Sequence, residues 1–543
     1  MPVNTKSSRL DTIAMYLAKI AIFVLVPLFG LWMYYQATFT GLSNPDAMDT
    51  AQIARHLSEG DGFSTSLIRP FATVVWKSHI TKSMPDLTHP PLFPLSTAIL
   101  LVVAEARDAI IGFSSCIWYV LTIPMVYLLG IRLFDRKIAL IACIFYLSCE
   151  RLLQYALSGM PSTMTMFLFT CFLLFICKAQ TEDETGQRIN NGKMFFLAGS
   201  AAGLCYLSDY MYIAIIPVAL IFIMVTARKE SRKLVLVFLI GFTILALPWM
   251  VRNQKLTGHP VFGLKAYESV MYTRLHPGYS MYRDATPRSL SATFADSVPE
   301  IVRKFSNGFS DTIRQSLLVP SVLITVLFIV AIPFRLGNER TQAMRNLIYG
   351  TLFVTLLFSI LFKASLEILV PFSPFIILIA VAFVYHVMEI SGKKKWYQTA
   401  ALIVITVLIA YPTINTITNK VQNPVDEEIS FFMSDVPKFI PASMGVVSDV
   451  PWKLAWYSNR LAVWLPKNDG FISSGKSVDV DVVILTSSLM YYPKYEKVND
   501  WQQVFVRGES WSEDFLLMTD PRAPIRVFGR IDAFKEIQRD ENS

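Results

Sequence analysis

Two carboxylates, Asp46 and Asp49, lie three residues apart at the start of a loop that follows the first long apolar segment. Acids next to an apolar segment can have two roles. Asp46 can cap a helix that runs to about Ser58, with Pro45 at its entry and Asp49 in its first turn. Alternatively, a carboxylate that faces a cavity can accept the proton of an acceptor hydroxyl during group transfer. The residue pattern leaves both alternatives open, and one acid can cap the helix while the other acts as a base.

The elements that must position these acids are transmembrane helices. The chain has 543 residues, of which 53% are hydrophobic, and its apolar runs are about twenty residues long, which is enough to cross a bilayer as a helix. The net charge of +8 does not indicate nucleic-acid binding, because the basic residues separate the apolar runs. The six cysteines form no CxxC pair, so we expect neither a zinc site nor a disulfide framework. The sequence therefore predicts a polytopic α-helical membrane protein.

Eleven transmembrane helices are predicted from the apolar runs. They lie at about residues 16–35, 109–131, 138–156, 161–178, 193–208, 210–227, 233–250, 316–334, 346–362, 367–388 and 397–412. Basic clusters fall in alternate connections, so the positive-inside rule places these clusters and the N-terminus in the cytoplasm. The loops 37–91 and 251–315 and the tail from residue 413 then lie outside. Residues 92–104 are apolar but too few to span, and they predict a re-entrant or interfacial helix.

The tail, residues 413–543, has a different character and predicts a small soluble α/β domain outside the membrane. We expect a helix at about 425–439, a helical turn at 452–457, and short buried strands at 444–448, 461–465 and 480–485. The tail contains no Gly-rich phosphate loop, nucleophile elbow or metal-spaced set of ligands. We therefore interpret residues 1–412 as the transmembrane domain and the tail as a lid or partner-binding module.

Several segments of the predicted transmembrane domain resemble GT-C glycosyltransferases of the family 39 type, which includes protein O-mannosyltransferases and lipid A aminoarabinose transferases. Residues 45–55 (PDAMDTAQIAR) are similar to the first-loop signature of these enzymes, and residues 89–95 (HPPLFPL) to their Pro-Pro-Leu-Tyr segment. Further landmarks are residues 133–136 (LFDR), 248–253 (PWMVRN) and 370–374 (VPFSP). The resemblance covers about residues 1–412, and it implies a GT-C fold and a polyprenyl-phosphate sugar as donor.

The resemblance also implies roles for individual residues. Asp46 takes the place of the catalytic Asp of the family and is expected to be the general base. Ala47 replaces the usual Glu, and Asp49 is expected to substitute for it in part. His89 stands where aminoarabinose transferases carry a phosphate-binding Lys. The chain departs from the family at residues 158–162, where the second-loop acid is missing, and at Glu367, where a phosphate-binding Arg is expected.

Transfer from a lipid phosphate requires cations to hold the leaving phosphate, and Arg, Lys and protonated His bind phosphate best. The candidates on the outer side are Arg55, Arg69, Lys77, Lys82, His89, Arg252, Lys255 and Lys363. Arg69 and His89 rank highest, because each adjoins a proline and shares the loop of Asp46. For each cation the alternative is a charge that contacts lipid head groups, and for Asp209 it is a turn or helix cap. We expect no metal site.

The sequence thus predicts an enzyme, a polyprenyl-phosphate-sugar-dependent glycosyltransferase in a bacterial inner membrane. It would transfer a sugar with inversion to a lipid, glycan or protein acceptor on the extracytoplasmic face, without a cofactor. The alternative is a catalytically decayed GT-C-fold protein that binds lipid-linked sugars or assists cell-envelope glycan assembly. A transporter is disfavoured, because the spans carry few charges and no inverted repeat is visible. The expected partners are the lipid-linked donor, an unidentified acceptor and membrane lipids, and no nucleic acid.

Overall fold

The structure is a computed structural model. It describes residues 25, 27–182, 188–227, 230–286, 288–363, 365–392, 394–419, 424–467, 469–475, 477–491 and 499–533. Half of the first predicted span, 16–35, lies outside the described residues, and its second half belongs to a helix over residues 27–38 (α1).

Helices make up most of the described chain. In the part up to residue 257 they are α2 Pro45–Glu59, α3 Pro70–Val75, α4 Leu92–Leu101, α5 Asp108–Leu133, α6 Arg136–Ser148, α7 Glu150–Ala156, α8 Ser162–Ala179, α9 Gly192–Ser208, α10 Ile215–Ala227 and α11 Ser231–Thr257. They continue with α12 Leu290–Ser316, α13 Val322–Ala331, α14 Glu339–Leu361, α15 Ser373–Ile390, α16 Lys395–Thr418, α17 Pro424–Asp435, α18 Pro451–Tyr457, α19 Gly470–Ser474 and α20 Asn499–Arg507. Short 3₁₀ turns lie at Tyr210–Ala214, Gly263–Ser269, Ser280–Arg283, Leu366–Phe372, Val436–Lys438 and Ser487–Tyr491.

Seven helices of the described part are long and apolar enough to cross a membrane, or eight if a bent pair is counted as one span. The protein is therefore a multi-pass membrane protein, with fewer such helices than the eleven predicted. The predicted span 138–156 is the bent pair, because α6 and α7 meet at 68°. Two more predicted spans are short: α9 has 17 residues and α13 has 10. The short apolar helix expected after Pro90 is confirmed as α4.

Close packing of α9 against α11 depends on small residues. A Cβ atom added to Gly199 would overlap the Phe238 carbonyl, and one added to Gly241 would overlap the Phe196 carbonyl. The two backbones can therefore approach each other only because both positions lack a side chain. Small residues serve this purpose in membrane helices, where apolar lipid offers little drive for helix association.

A six-stranded sheet occupies the C-terminal region. Its strands are β2 Leu67–Ile68, β6 Val446–Ser448, β7 Ala462–Trp464, β8 Val482–Thr486, β9 Phe515–Leu517 and β10 Ile525–Arg530, in the order β2-β7-β6-β8-β10-β9. The predicted strands correspond to β6, β7 and β8, and the predicted helical segments to α17 and α18. The sequence did not predict β2, which comes from the first outer loop and pairs in parallel with β7. The loop and the tail therefore share one sheet.

The remaining strands form two small hairpin-like pairs. They are β1 Ser64–Thr65 with β3 Met84–Pro85, and β4 Gln180–Glu182 with β5 Arg188–Asn190. The first pair closes the outer loop between α2 and α4, and so brings the residues around position 86 close to the start of the loop.

Candidate active site

Helix α2 carries the two acids that the sequence singled out. Its N-cap is Asn44, whose Oδ1 accepts a hydrogen bond of 2.9 Å from the Asp46 backbone N–H, and Pro45 is the first helical residue. Of the two alternatives left open for Asp46, the helix cap is wrong, because Asn44, two positions earlier, has the capping geometry. Gly60 ends the helix with φ of 89°. The Asp46 side chain is left available for another role.

Both acids face a cavity of about 470 Å³ that is built from distant parts of the chain. Its lining includes residues from the first outer loop, the 263–282 segment, the connection before the 3₁₀ turn Leu366–Phe372, and the C-terminal sheet region. The charged lining residues are the acids Asp46, Asp49, Asp209, Glu268 and Glu367 and the bases Arg69, His89, Lys265 and Lys363. The cavity thus combines a cluster of carboxylates with a cluster of cations.

Asp49 is occupied by neighbours from its own loop. Its Oδ2 lies 2.5 Å from Arg69 Nη2 and 3.5 Å from His89 Nε2, and its Oδ1 accepts a hydrogen bond of 3.0 Å from Gln52 Nε2. The side chain is only 3% exposed. A carboxylate with this many donors is poorly suited to accept a further proton, and its contacts fix the positions of Arg69 and His89.

His89 lies between two carboxylates. Its Nδ1 is 3.2 Å from Asp86 Oδ2, and its Nε2 faces Asp49. Burial alone would lower the pKa of His89, but the two carboxylates outweigh burial and raise the pKa above its usual value. The imidazole is therefore held in its protonated form to a higher pH than a free histidine, which is the form that binds an anion.

Asp46 differs from Asp49 in that its carboxylate is free. In the described part of the chain no group donates a hydrogen bond to it. Burial would raise the pKa of Asp46, but the charges of Lys363, His89 and Lys265 together lower it below the usual value. Asp46 is thus an ionised carboxylate without a partner, set in the field of nearby cations.

The other side of the cavity carries cations that come from elsewhere in the sequence. Lys363 Nζ donates a hydrogen bond of 2.9 Å to the Tyr279 hydroxyl, and it lies 5.1 Å from the centre of that ring. Burial opposes the charge of Lys363, but Asp46 raises its pKa; for Lys265 burial is likewise outweighed, mainly by Glu268. Sequence reasoning found Lys363 but missed Lys265 and Glu268, which stand in no motif and are placed by the fold of the 263–282 segment.

The chain is similar to a known protein family and to several solved structures. Residues 88–251 match a family model described as dolichyl-phosphate-mannose-protein mannosyltransferase. No curated protein matches the sequence at a significant level. Among solved structures, the archaeal oligosaccharyltransferase AglB of Archaeoglobus fulgidus, in complex with an inhibitory peptide and a dolichol-phosphate, matches with a TM-score of 0.56. This likeness covers 94% of our chain and 74% of AglB at 12% identity.

ArnT of Cupriavidus metallidurans, bound to undecaprenyl phosphate, matches with a TM-score of 0.54 at 12% identity, over 94% of our chain and 98% of that chain. An Archaeoglobus fulgidus oligosaccharyltransferase tethered to an acceptor peptide matches with a TM-score of 0.53 at 13% identity, over 86% and 69%. The fold is that of the GT-C glycosyltransferases. At these identities the likeness establishes the fold, and the role of the cavity must be argued from its own residues.

Five of the eight candidate phosphate ligands do not line the cavity of this GT-C fold, namely Arg55, Lys77, Lys82, Arg252 and Lys255. Arg55 donates from Nη1 to the Trp456 carbonyl and from Nη2 to the Ala455 carbonyl, both at 2.8 Å, and so joins α2 to the C-terminal region. Arg252 donates from Nη2 to the Asp86 carbonyl at 2.8 Å. Neither residue lines the cavity. Their contacts therefore support the wall around the site, and the cations that face the cavity are Arg69, His89, Lys265 and Lys363.

The positions where the chain departs from the GT-C pattern also reach the cavity. Met160, Pro161 and Ser162 line it without an acid, as the sequence predicted. Glu367 lines it and accepts a hydrogen bond of 3.2 Å from Asn44 Nδ2. Asp209 caps the following 3₁₀ turn through the Met211 N–H and also lines the cavity. Among the residues that the structure describes, no group of three or more His, Cys, Asp or Glu is arranged to hold a metal ion.

Proposed function

We propose that this protein is a membrane glycosyltransferase that moves a sugar from a polyprenyl-phosphate donor to an acceptor, with inversion at the anomeric carbon. The observation that carries the proposal is the free, ionised Asp46 carboxylate in a cavity with Arg69, His89, Lys265 and Lys363. A base without a competing hydrogen bond and cations on the same cavity are the two components that such a transfer needs.

The chemistry follows from these positions. Asp46 accepts the proton of an acceptor hydroxyl or amine as that group attacks the anomeric carbon from the side opposite the phosphate. The new bond forms between the acceptor atom and the anomeric carbon, while the bond from that carbon to the phosphate oxygen breaks. The electron pair leaves with the phosphate, whose added charge the four cations stabilise. Because attack and departure occur on opposite faces, the configuration inverts.

A lipid-linked donor is supported by the surroundings of the cavity. The protein is a multi-pass membrane protein, so a polyprenyl chain can lie along the helices while its phosphate reaches the cations. Of the solved structures named above, AglB is in complex with a dolichol-phosphate and ArnT is bound to undecaprenyl phosphate. The family model for a dolichyl-phosphate-mannose transferase also matches the segment that contains His89. We also propose that the protein belongs to glycosyltransferase family 39.

We also propose the orientation that the basic clusters indicate, with the cavity on the extracytoplasmic face of a bacterial inner membrane. Residues 1–412 would form the transmembrane domain, and residues 413–543 an extracytoplasmic domain. The non-enzymatic alternative is not favoured, since a protein that only bound lipid-linked sugars would have no use for an unpartnered carboxylate beside the cations.

The test is transfer by the purified full-length protein. Radiolabelled undecaprenyl-phosphate sugars are incubated with the protein and with lipid, glycan and peptide acceptors, and Asp46→Asn serves as the matched control. We expect label in an acceptor fraction for the wild type only. Donor binding without transfer to any acceptor class, equal in both proteins, would contradict the proposal and support the binding alternative.

A further inference from the structure

Aromatic side chains form one continuous part of the cavity lining. We call Tyr272, Tyr279, Tyr282, Trp452 and Trp464 the aromatic wall, and all five line the cavity. The ring centres of Tyr279 and Tyr282 lie 5.8 Å apart and stack at 17°, and Trp464 lies 5.9 Å and 6.5 Å from them. Trp452 stands perpendicular to Trp464 with centres 5.9 Å apart. Two separate segments of the chain therefore build one surface.

The wall is held rigidly from behind. Trp464 is the last residue of β7 and pairs with Ser448 of β6. Trp452 lies on α18, whose later carbonyls accept the two hydrogen bonds from Arg55. The Tyr282 hydroxyl donates a hydrogen bond of 2.9 Å to Glu268 Oε1. Rings that are fixed before a ligand arrives lose little conformational entropy on binding, which is a property of preorganised sites.

Charged and polar groups border the wall. Lys363 donates to the Tyr279 hydroxyl, and Arg69 lies 5.5 Å from the centre of the Tyr282 ring. The indole Nε1 of Trp464 is buried and has no acceptor among the described residues, which leaves an uncompensated donor in the wall. An aliphatic chain would offer no acceptor to the remaining N–H groups of Lys363, and a phosphate alone would not use the aromatic faces.

A pyranose ring matches this combination, because its C–H face is apolar and its hydroxyl groups both donate and accept hydrogen bonds. We propose that the aromatic wall binds a pyranose ring, with the ring packed against Trp464 and Tyr282 and its hydroxyl groups bonded to Glu268 and Lys363. The inference rests on the proposed function, since it names the carbohydrate class that the same cavity takes. The ring can belong to the donor sugar or to an acceptor glycan, and the test below separates the two.

The test uses the full-length protein in detergent and follows intrinsic tryptophan fluorescence. One arm titrates a panel of methyl pyranosides and short oligosaccharides, and the other titrates undecaprenyl-phosphate sugars. We expect saturable quenching in the wild type, at least tenfold weaker binding in Trp464→Leu and Trp452→Leu, and partial recovery in Trp464→Phe, which keeps an aromatic face. Trp396→Leu is the matched control, because Trp396 is 60% exposed on α16 and does not line the cavity.

The outcomes separate the sources. If the tryptophan variants weaken only the free saccharides, the ring belongs to the acceptor; if they weaken only the lipid-linked sugars, it belongs to the donor. Unchanged binding in both Trp464→Leu and Trp452→Leu overturns the inference, as does an absence of saturable binding by every saccharide in either arm. Thermal unfolding shows which variants are folded. If Trp464→Leu is unfolded, the binding measured for Trp452→Leu tests the inference instead.

The same experiment distinguishes this inference from the proposed function. Asp46→Asn removes the base but leaves every ring of the aromatic wall in place, so we expect it to lose transfer while saccharide binding remains measurable. If saccharide binding depends on the aromatic wall but the wild type transfers no sugar, the binding site is supported and the proposed enzymatic function is rejected. If loss of the two tryptophans leaves transfer unchanged, the proposed enzymatic function is supported and saccharide binding by the aromatic wall is rejected.

Discussion

The two sides of the cavity are built in opposite ways. On the first side, Asp49, Arg69 and His89 come from one loop and pair with each other, with Asp86 behind them. On the second side, Lys265 and Lys363 come from segments almost one hundred residues apart. Burial opposes both charges, but Glu268 beside Lys265 and Asp46 near Lys363 raise their pKa values. The first side is a local network whose charges neutralise each other, whereas the second side presents its charge to Asp46.

The supports of the two sides differ as well. Ion pairs hold the first side, whereas on the second side a lysine joins the two segments that carry its charged residues. Lys304 Nζ on α12 contacts five backbone carbonyls, of residues 268, 269, 271, 361 and 362, at 2.5 to 3.5 Å. These carbonyls flank Glu268 and Lys363, so one ammonium joins the two segments that bring the second side together. Ion pairs can thus hold residues that come from one loop, whereas segments far apart in the chain are joined by a group that bonds to both.

The largest effect is expected at the residue that faces both sides. Asp46→Asn removes the base but not the helix cap, which is Asn44. We expect transfer to fall by about 10²–10⁴, the usual loss for a general base, with a normal unfolding temperature. Rates with radiolabelled donor measure the loss. Full activity of Asp46→Asn, with loss of activity in Asp209→Asn or Glu367→Gln, would move the base to the other acids of the cavity.

The next effect is on stability and tests the paired side. Asp49→Asn leaves the Arg69 guanidinium buried with a weaker partner, so we expect a loss of about 3 kcal/mol, at the low end for a broken buried pair. Denaturant unfolding in detergent measures it. The matched control is Asp61→Asn, whose partner Lys82 is 74% exposed, and it should change stability far less. Equal effects of the two substitutions would show that the first side is not held by its ion pairs.

A smaller effect is expected from the bridge on the second side. Lys304→Met keeps an unbranched side chain that is one atom shorter, and it removes every hydrogen bond to the five carbonyls. We expect transfer to fall roughly tenfold through misplacement of Lys363 and Glu268, below the hundredfold that a 1 Å shift can cause. Arg303→Met, one residue away and exposed, is the control. If Lys304→Met lowers stability without altering the KM for the donor or kcat, the bridge does not position the site.

The smallest effect concerns pH and the first side. Because Asp86 and Asp49 raise the pKa of His89 against burial, the folded protein binds this proton more tightly than the unfolded chain does. The resulting stabilisation is complete below about pH 6.5, the ordinary histidine value, and is lost as the pH rises through the raised value. Unfolding midpoints across this range are expected to fall with pH in the wild type and to change less in His89→Gln. His79→Gln, at an exposed histidine, should retain the slope of the wild type.

Much of this protein was predictable because the signals are local. Apolar runs of about twenty residues predicted α5, α8, α11, α14, α15 and α16 as spans, and short apolar runs in the tail predicted β6, β7 and β8. The stretch around Asp46 and the HPP segment at His89 predicted the first side of the cavity. The count of spans was less accurate, because hydropathy does not register the bend between α6 and α7 or the early end of α13.

The remaining features depend on contacts between distant segments. The proline beside Arg69 ranked it above Arg55, but only the fold shows that Arg69 lines the cavity and that Arg55 bonds to carbonyls of α18. Lys265 and Glu268 lie in an irregular segment without a motif, and their proximity to Asp46 is a result of folding. Strand β2 consists of two residues and gains its partner only from the tail.

The sequence by itself determined a membrane protein of many helices, the GT-C-like order of its segments, and an acid at position 46 for which a helix cap and a general base were both open. These features follow from hydrophobic length and from residues near each other in the chain. The tertiary structure decided which acid is free, which cations face it, and that the tail contributes two tryptophans to the cavity. Ionisation, hydrogen bonding and enclosure depend on neighbours in space, and here most of those neighbours are more than one hundred residues away.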